Sequence, residues 1–173
     1  MTDAPECPAV GAGCPGPGQE MNMKKLSELL SEKRIVIDFK AGGKKEAMER
    51  LLDHAVEPAE RAPLLQSLLE REDLGSTGIG SGVAVPHVRV DSVDAPVVVF
   101  GRSAKPVAFD AVDGEPCSLF FLVLGPTKQD AQEAYLHAMA KISRLMRQAP
   151  VRDRLMKAAT AADAMVAVRA GEG

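Results

Sequence analysis

The stretch that most limits what this chain can fold into is Ser76-Thr77-Gly78-Ile79-Gly80-Ser81-Gly82-Val83-Ala84-Val85-Pro86-His87. Alternating glycines allow the backbone to turn tightly or to approach another group closely. The apolar run Val83 to Val85 predicts a short buried strand bounded by a breaker. Pro86 fixes its own φ and has no N–H to give a sheet, so the strand ends there or lies at an edge. His87 is thus expected at a strand end on a stiff peptide, which holds an imidazole in one orientation. The glycine spacing is not that of a dinucleotide fingerprint, and no phosphate-loop lysine follows it.

Periodicity on either side gives the rest of the architecture. Short or long helices are expected over Lys24–Ser31, Lys44–Val56, Ala59–Glu72, Gln129–Gln148, Val151–Ala158 and Ala162–Val168, with Pro63 in the first turn of the third. Leu64, Leu65, Leu68 and Leu69 form that helix's buried stripe. Strands are expected at Ile35–Phe39, Val97–Gly101 and Leu119–Leu124, with turns at Asp91–Pro96 and at Asp113-Gly114. Strands and helices mix without strict alternation. The fold class is therefore α/β, a mixed-direction sheet with helices on both faces.

At 173 residues the chain suffices for one domain with a core. Residues 1–20 are Pro, Gly, Ala and Cys without periodicity and read as a disordered tail, with Met21 or Met23 as an alternative start and residues 21–173 as the domain. A net charge of −3 provides no basic footprint for nucleic acid. No apolar run has the length to span a bilayer and no secretory pattern opens the chain, so a cytoplasmic protein is expected. With aromatics at 3% and no Trp, the core is expected to be built from Leu, Val, Ala and Met. Cys7 and Cys14, seven apart, lack the spacing of a metal pair, and Cys117 reads as a small buried hydrophobe. Neither metal nor organic cofactor is called for.

Two blocks carry a family resemblance. Arg71-Glu72-Asp73-Leu74-Gly75-Ser76-Thr77-Gly78-Ile79-Gly80, followed by Gly82 to His87, resembles the signature of the type-2 (mannitol/fructose-type) enzyme IIA domains of the bacterial phosphoenolpyruvate-dependent phosphotransferase system. Pro106 to Pro116, leading into the apolar run from Leu119, is most similar to the nitrogen-related regulatory branch of that family. The likeness runs from about Leu26 to about Arg169 and implies the same α/β sandwich.

The resemblance implies that His87 accepts a phosphoryl group from an HPr-like phosphocarrier. Neutral imidazole is a good nucleophile near neutrality, provided one ring nitrogen is free and the other carries a held proton. It also implies that Arg71 is the active-site arginine, a guanidinium that meets phosphate oxygens bidentately. Ser76 and Thr77 either hydrogen-bond the phosphoryl group or cap a turn. Arg89 shares a strand face with His87 and reads as a surface charge, as does His54 on its helix. Sugar-transporting members carry a second active-site histidine where this chain has Tyr135. His137, two residues on, falls about 200° round the helix and reads as a bystander. Tyr135 can donate a hydrogen bond to phosphate but is a poor base. The expected function is a regulatory, nitrogen-related IIA protein that signals through its phosphorylation state to a target protein. The alternatives are a fructose- or mannitol-type IIA passing phosphate to a sugar-specific IIB, and a binding module that is not phosphorylated.

Overall fold

A computed structural model describes residues 24–173; the expected tail at 1–20, the alternative starts and Cys7 and Cys14 lie outside these residues. Six strands form one sheet: β1 (Ile35–Phe39), β2 (Gly78–Gly80), β3 (Val83–Ala84), β4 (His87–Val90), β5 (Val97–Val107) and β6 (Cys117–Pro126). The spatial order is β1-β5-β6-β3-β2, with β4 also paired to β6. β1 runs parallel to β5, β5 antiparallel to β6, and β3 and β4 parallel to β6, so the sheet is of mixed direction as expected.

Helices cover both faces. On one face α1 (Leu26–Leu29), α4 (Gln132–Arg147), α5 (Ala149–Lys157) and α6 (Ala161–Gly171) enclose Val83, Val85, Phe100, Phe121, Val123 and Tyr135. On the other, α2 (Lys44–Leu52) and α3 (Pro58–Asp73) cover Ala84, Val99, Phe120, Leu122 and Leu124. The alternation of Val123 and Leu124 between these two layers is the period-2 rule for a strand buried on both sides. The core is aliphatic in the main, but all five phenylalanines enter it, contrary to the composition-based expectation. Phe120 packs edge-on against both Phe39 and Phe109, at centroid separations of 5.5 and 5.6 Å. Cys117 is fully buried, as expected, and burial pushes its thiol up to about 11.

Helix boundaries follow local chemistry. α3 begins on Pro58, whose fixed φ suits the first helical position. Pro63, expected in the first turn, is the sixth residue of the helix and so lies in its second turn. α6 is opened by a capping box in which Thr160 Oγ1 accepts the Asp163 N–H at 3.1 Å and Asp163 accepts from the Thr160 N–H at 3.0 Å.

β5 continues past Gly101 through the polar run to Val107, a length the sequence does not suggest. Arg102, the first residue past Gly101, is 7% exposed. Its guanidinium donates to Asp38 Oδ1 at 2.7 Å and to the carbonyls of Leu155 and Met156 at 3.3 and 2.8 Å, and also to that of Ala158. These carbonyls belong to the end of α5; that of Leu155 also accepts the Ala158 N–H at 3.4 Å, while those of Met156 and Ala158 lie past the last intrahelical donor. Arg102→Met should therefore lower the unfolding free energy by about 2 kcal/mol, the cost of orphaned buried acceptors. Urea denaturation checks this, and a change within measurement error would show that water serves those carbonyls equally well.

Candidate functional site

β3 and β4 are two pieces of one strand. Val83 lies opposite Leu119 and Ala84 opposite Phe120; after the break at Val85-Pro86, His87 lies opposite Val123 and Val88 opposite Leu124. The register against β6 is the same on both sides of the proline. β2 covers the outer edge of β3, with a last bond from the Val85 N–H to the Thr77 carbonyl at 2.9 Å. Beyond Val85 the strand has only β6 beside it. Pro86, which has no N–H to offer, stands where the strand becomes an edge, and its carbonyl still accepts the Val123 N–H at 3.0 Å.

The two sequence blocks meet at this edge. The turn from β2 to β3 passes through Gly80, Ser81 and Gly82 at φ 92°, 54° and 73°, a left-handed run that two of the three residues tolerate only as glycine. It is pinned by Asp113, whose Oδ2 accepts the Ser81 N–H at 2.7 Å. Val112 donates its N–H to the Gly78 carbonyl at 3.2 Å.

His87 is half-buried at the head of β4, and its Nδ1 lies 2.8 Å from the Val85 carbonyl. A carbonyl only accepts, so Nδ1 carries the proton and, in the neutral ring, Nε2 carries the free lone pair. Burial holds the imidazole below its ordinary value; the Val85 carbonyl opposes this, Arg71 adds to it, and Glu72 opposes it.

Arg71, in the last turn of α3, donates to the Gly75 carbonyl at 3.2 Å. Tyr135 belongs to the other helical layer. It is buried on α4, with its ring against Gly125, where an added Cβ would stand 2.3 Å from Tyr135 Cδ2. Gly125 lies opposite Arg89 in the sheet. Burial pushes the Tyr135 phenol up, against the pull of Arg89 and Arg71. The Arg71 charge thus lowers the proton affinity of both His87 and Tyr135. Arg89 is exposed but not loose: its Nε donates to the Pro126 carbonyl at 3.2 Å and its Nη2 to the Thr127 carbonyl at 3.1 Å.

Other candidates are held elsewhere. The Ser76 hydroxyl donates to the Phe109 carbonyl at 2.6 Å and accepts the Gly78 N–H at 3.1 Å. The Thr77 hydroxyl donates to Glu72 Oε2 at 2.6 Å. Each hydroxyl has one proton to give, and both protons are committed within the fold. His137 faces outward, 3.8 Å from Glu133 one turn back, and His54 contacts the Lys33 carbonyl at 3.2 Å on the surface. Glu72 is the residue the pattern did not single out. It continues the Leu64–Leu68 stripe by one further step of four, and that spacing was the available signal. Among the described residues no group of three His, Cys, Asp or Glu side chains could hold a metal, and no helix is long and apolar enough to cross a membrane.

The model of the family "Phosphoenolpyruvate-dependent sugar phosphotransferase system, EIIA 2" matches residues 28–170, and the chain belongs to that family of phosphotransferase components. It is 34% identical to a nitrogen regulatory protein of Pseudomonas aeruginosa over 142 residues, covering 80% of this chain and 91% of the relative. It is 35% identical to the fructose-specific EIIA component of Haloferax volcanii over 141 residues, covering 80% and 90%. Among solved structures it resembles the nitrogen regulatory protein IIA-Ntr from Neisseria meningitidis at a TM-score of 0.75 and 34% identity, covering 83% of this chain and 98% of that one.

The site geometry fixes the sign of a titration experiment. By NMR, His87 should titrate below the ordinary value of about 6.5 and keep a proton on Nδ1 when neutral. Arg71→Gln should raise the midpoint, because a nearby positive charge that disfavours the imidazolium is removed. A midpoint that falls or stays fixed in Arg71→Gln would show that the guanidinium does not face the ring.

Proposed function

We propose that His87 is the phosphoryl acceptor of this chain and that the protein works as a nitrogen-related regulatory IIA. The observation that carries the first part is the 2.8 Å contact of Nδ1 with the Val85 carbonyl, which leaves Nε2 as the nucleophilic atom of a ring that the Arg71 charge disfavours as imidazolium. The donor is an HPr-like protein phosphorylated on a ring nitrogen of histidine. The lone pair of Nε2 attacks phosphorus, the new N–P bond forms as the donor's N–P bond breaks, and each imidazole keeps its own N–H proton. Transfer of this kind depends on positioning and charge stabilisation. Arg71 supplies the positive charge, and its fork geometry suits two phosphoryl oxygens. Because burial and Arg71 disfavour the imidazolium, the ring is neutral and nucleophilic at pH 7. Tyr135 borders the site as a hydrogen-bond donor that does not act as a base near neutrality.

The regulatory reading rests on Tyr135. The family resemblance puts a second histidine there in transporting members; this chain offers a phenol, and its nearest histidine faces solvent. Phosphate therefore enters His87 readily and leaves slowly towards a sugar-specific IIB, a lifetime suited to a signal read by a target protein in the cytoplasm. A fructose-type IIA is the second reading, favoured by the similarity to the Haloferax volcanii component.

Incubation with phosphoenolpyruvate, enzyme I and HPr should add one acid-labile, alkali-stable phosphate, absent in His87→Ala and retained in His54→Ala and His137→Ala. Arg71→Ala should slow the uptake at least about tenfold, because charge-assisted bonds to phosphate are worth roughly 1.5–3 kcal/mol each, and Arg71→Lys should restore part of the rate. Label that persists in His87→Ala would overturn the assignment.

The regulatory part has its own test, transfer from the phosphorylated protein to a purified fructose-type IIB. Wild type and His137→Ala should be slow. Tyr135→His should be faster by up to about 10² or more, the usual range for a well-placed proton donor. Fast transfer by the wild type would favour the fructose reading.

A further inference from the structure

We propose that Glu72 is the positioning residue for His87, acting through Thr77 and the Val85 peptide; the proposal rests on His87 being the phosphoryl acceptor. Glu72 is 7% exposed, at the end of an apolar helical stripe. A carboxylate is costly there unless it is fully partnered, and this one is. Oε1 is 3.0 Å from Lys44 Nζ. Both oxygens lie within reach of the Thr77 N–H, at 3.2 and 3.0 Å, and Oε2 accepts the Thr77 hydroxyl at 2.6 Å. Lys44 is held in turn by Asp110 at 2.8 Å and lies over the Phe109 ring.

From Thr77 the path leads directly to the imidazole. The Thr77 carbonyl accepts the Val85 N–H at 2.9 Å, and the Val85 carbonyl accepts the His87 Nδ1–H at 2.8 Å. Each link is a hydrogen bond of ordinary length, so the path from Lys44 to Nδ1 is unbroken. Its end point decides which ring nitrogen is nucleophilic and where it points. Glu72 also acts by charge: it favours positive charge on His87, opposite to the effect of Arg71 one residue before it. Positive charge grows on the ring as the N–P bond forms, and the buried carboxylate, two hydrogen-bonded links from the Val85 carbonyl, offsets it. Glu72 does not touch the donor, so its effect falls on the transfer step and not on docking.

The test compares wild type, Glu72→Gln and Thr77→Val in uptake of phosphate from phosphorylated HPr, with His87 followed by NMR in the unphosphorylated proteins. In Glu72→Gln the His87 midpoint should fall further below its wild-type value, and the single Nδ1–H form should give way to a mixture of tautomers. The transfer rate at saturating HPr should drop about tenfold, the effect of leaving buried partners unsatisfied, with the half-saturating HPr concentration unchanged. Thr77→Val, which removes only the hydroxyl link, should show a smaller loss in the same direction, and it decides the matter if Glu72→Gln does not fold. A folded Glu72→Gln with wild-type midpoint, tautomer and rate overturns the proposal, as does a loss confined to HPr affinity. Absence of phosphate on His87 in the wild type overturns the acceptor reading instead, and the NMR signals then decide whether Glu72 positions the ring.

Discussion

The site depends on residues 83–90 keeping one register along β6 across a proline. The offset to β6 that pairs Val83 with Leu119 also pairs His87 with Val123. Side-chain alternation is therefore conserved through the break, and Val83, Val85, His87 and Arg89 share one face. A slip of one residue would send the imidazole to the α3 side and put Val88 in its place. Pro86 is compatible with this because the strand loses its outer neighbour just where the proline has no proton to give.

The same edge keeps the imidazole open to solvent. A histidine in the middle of the sheet would be covered by one layer and sealed off from solvent. On β4, beside β6 alone, it stays half-buried, and the Arg71 charge at the end of α3 bears on it. The low proton affinity of the ring follows from that partial burial, and the opposite charges of Arg71 and Glu72 act on it from the last turn of a single helix. Phosphoryl chemistry near neutrality needs a ring that is neutral before the reaction and able to bear charge during it. In the proposed reaction these two neighbours would serve one requirement each, Arg71 disfavouring the imidazolium and Glu72 favouring it.

Much of this could be read from the chain, because the signals were local. The glycine turn, the proline and the apolar run are adjacent in sequence, and the helical wheel of α4 separates Tyr135 from His137 without knowledge of any neighbour. What escaped depends on partners far away in sequence. Arg102 looks like the end of a strand until the carbonyls at the end of α5 and the Asp38 carboxylate are seen around it. Glu72 looks like a polar helix end until Thr77 and Lys44 close over it. The hydroxyls of Ser76 and Thr77 could not be assigned from sequence, since the competing acceptors, the Phe109 carbonyl and the Glu72 carboxylate, become visible only once the two motif blocks are folded together.

The tyrosine ring lying on Gly125 has a consequence for how such a site can change over generations. The ring occupies the space that any β-carbon at residue 125 would need, at 2.3 Å. Identity at 125 and identity at 135 are thus a single choice made twice. A chain that acquires alanine at 125 first has no room for the phenol. One that first trades the phenol for the smaller imidazole leaves a gap over the glycine, and such a gap has its own cost in a close-packed interior. Residues 125 and 135, ten apart and on a strand and a helix, are thus coupled through packing, and a side chain at 125 is admitted only where the ring at 135 is repacked or replaced by a smaller group.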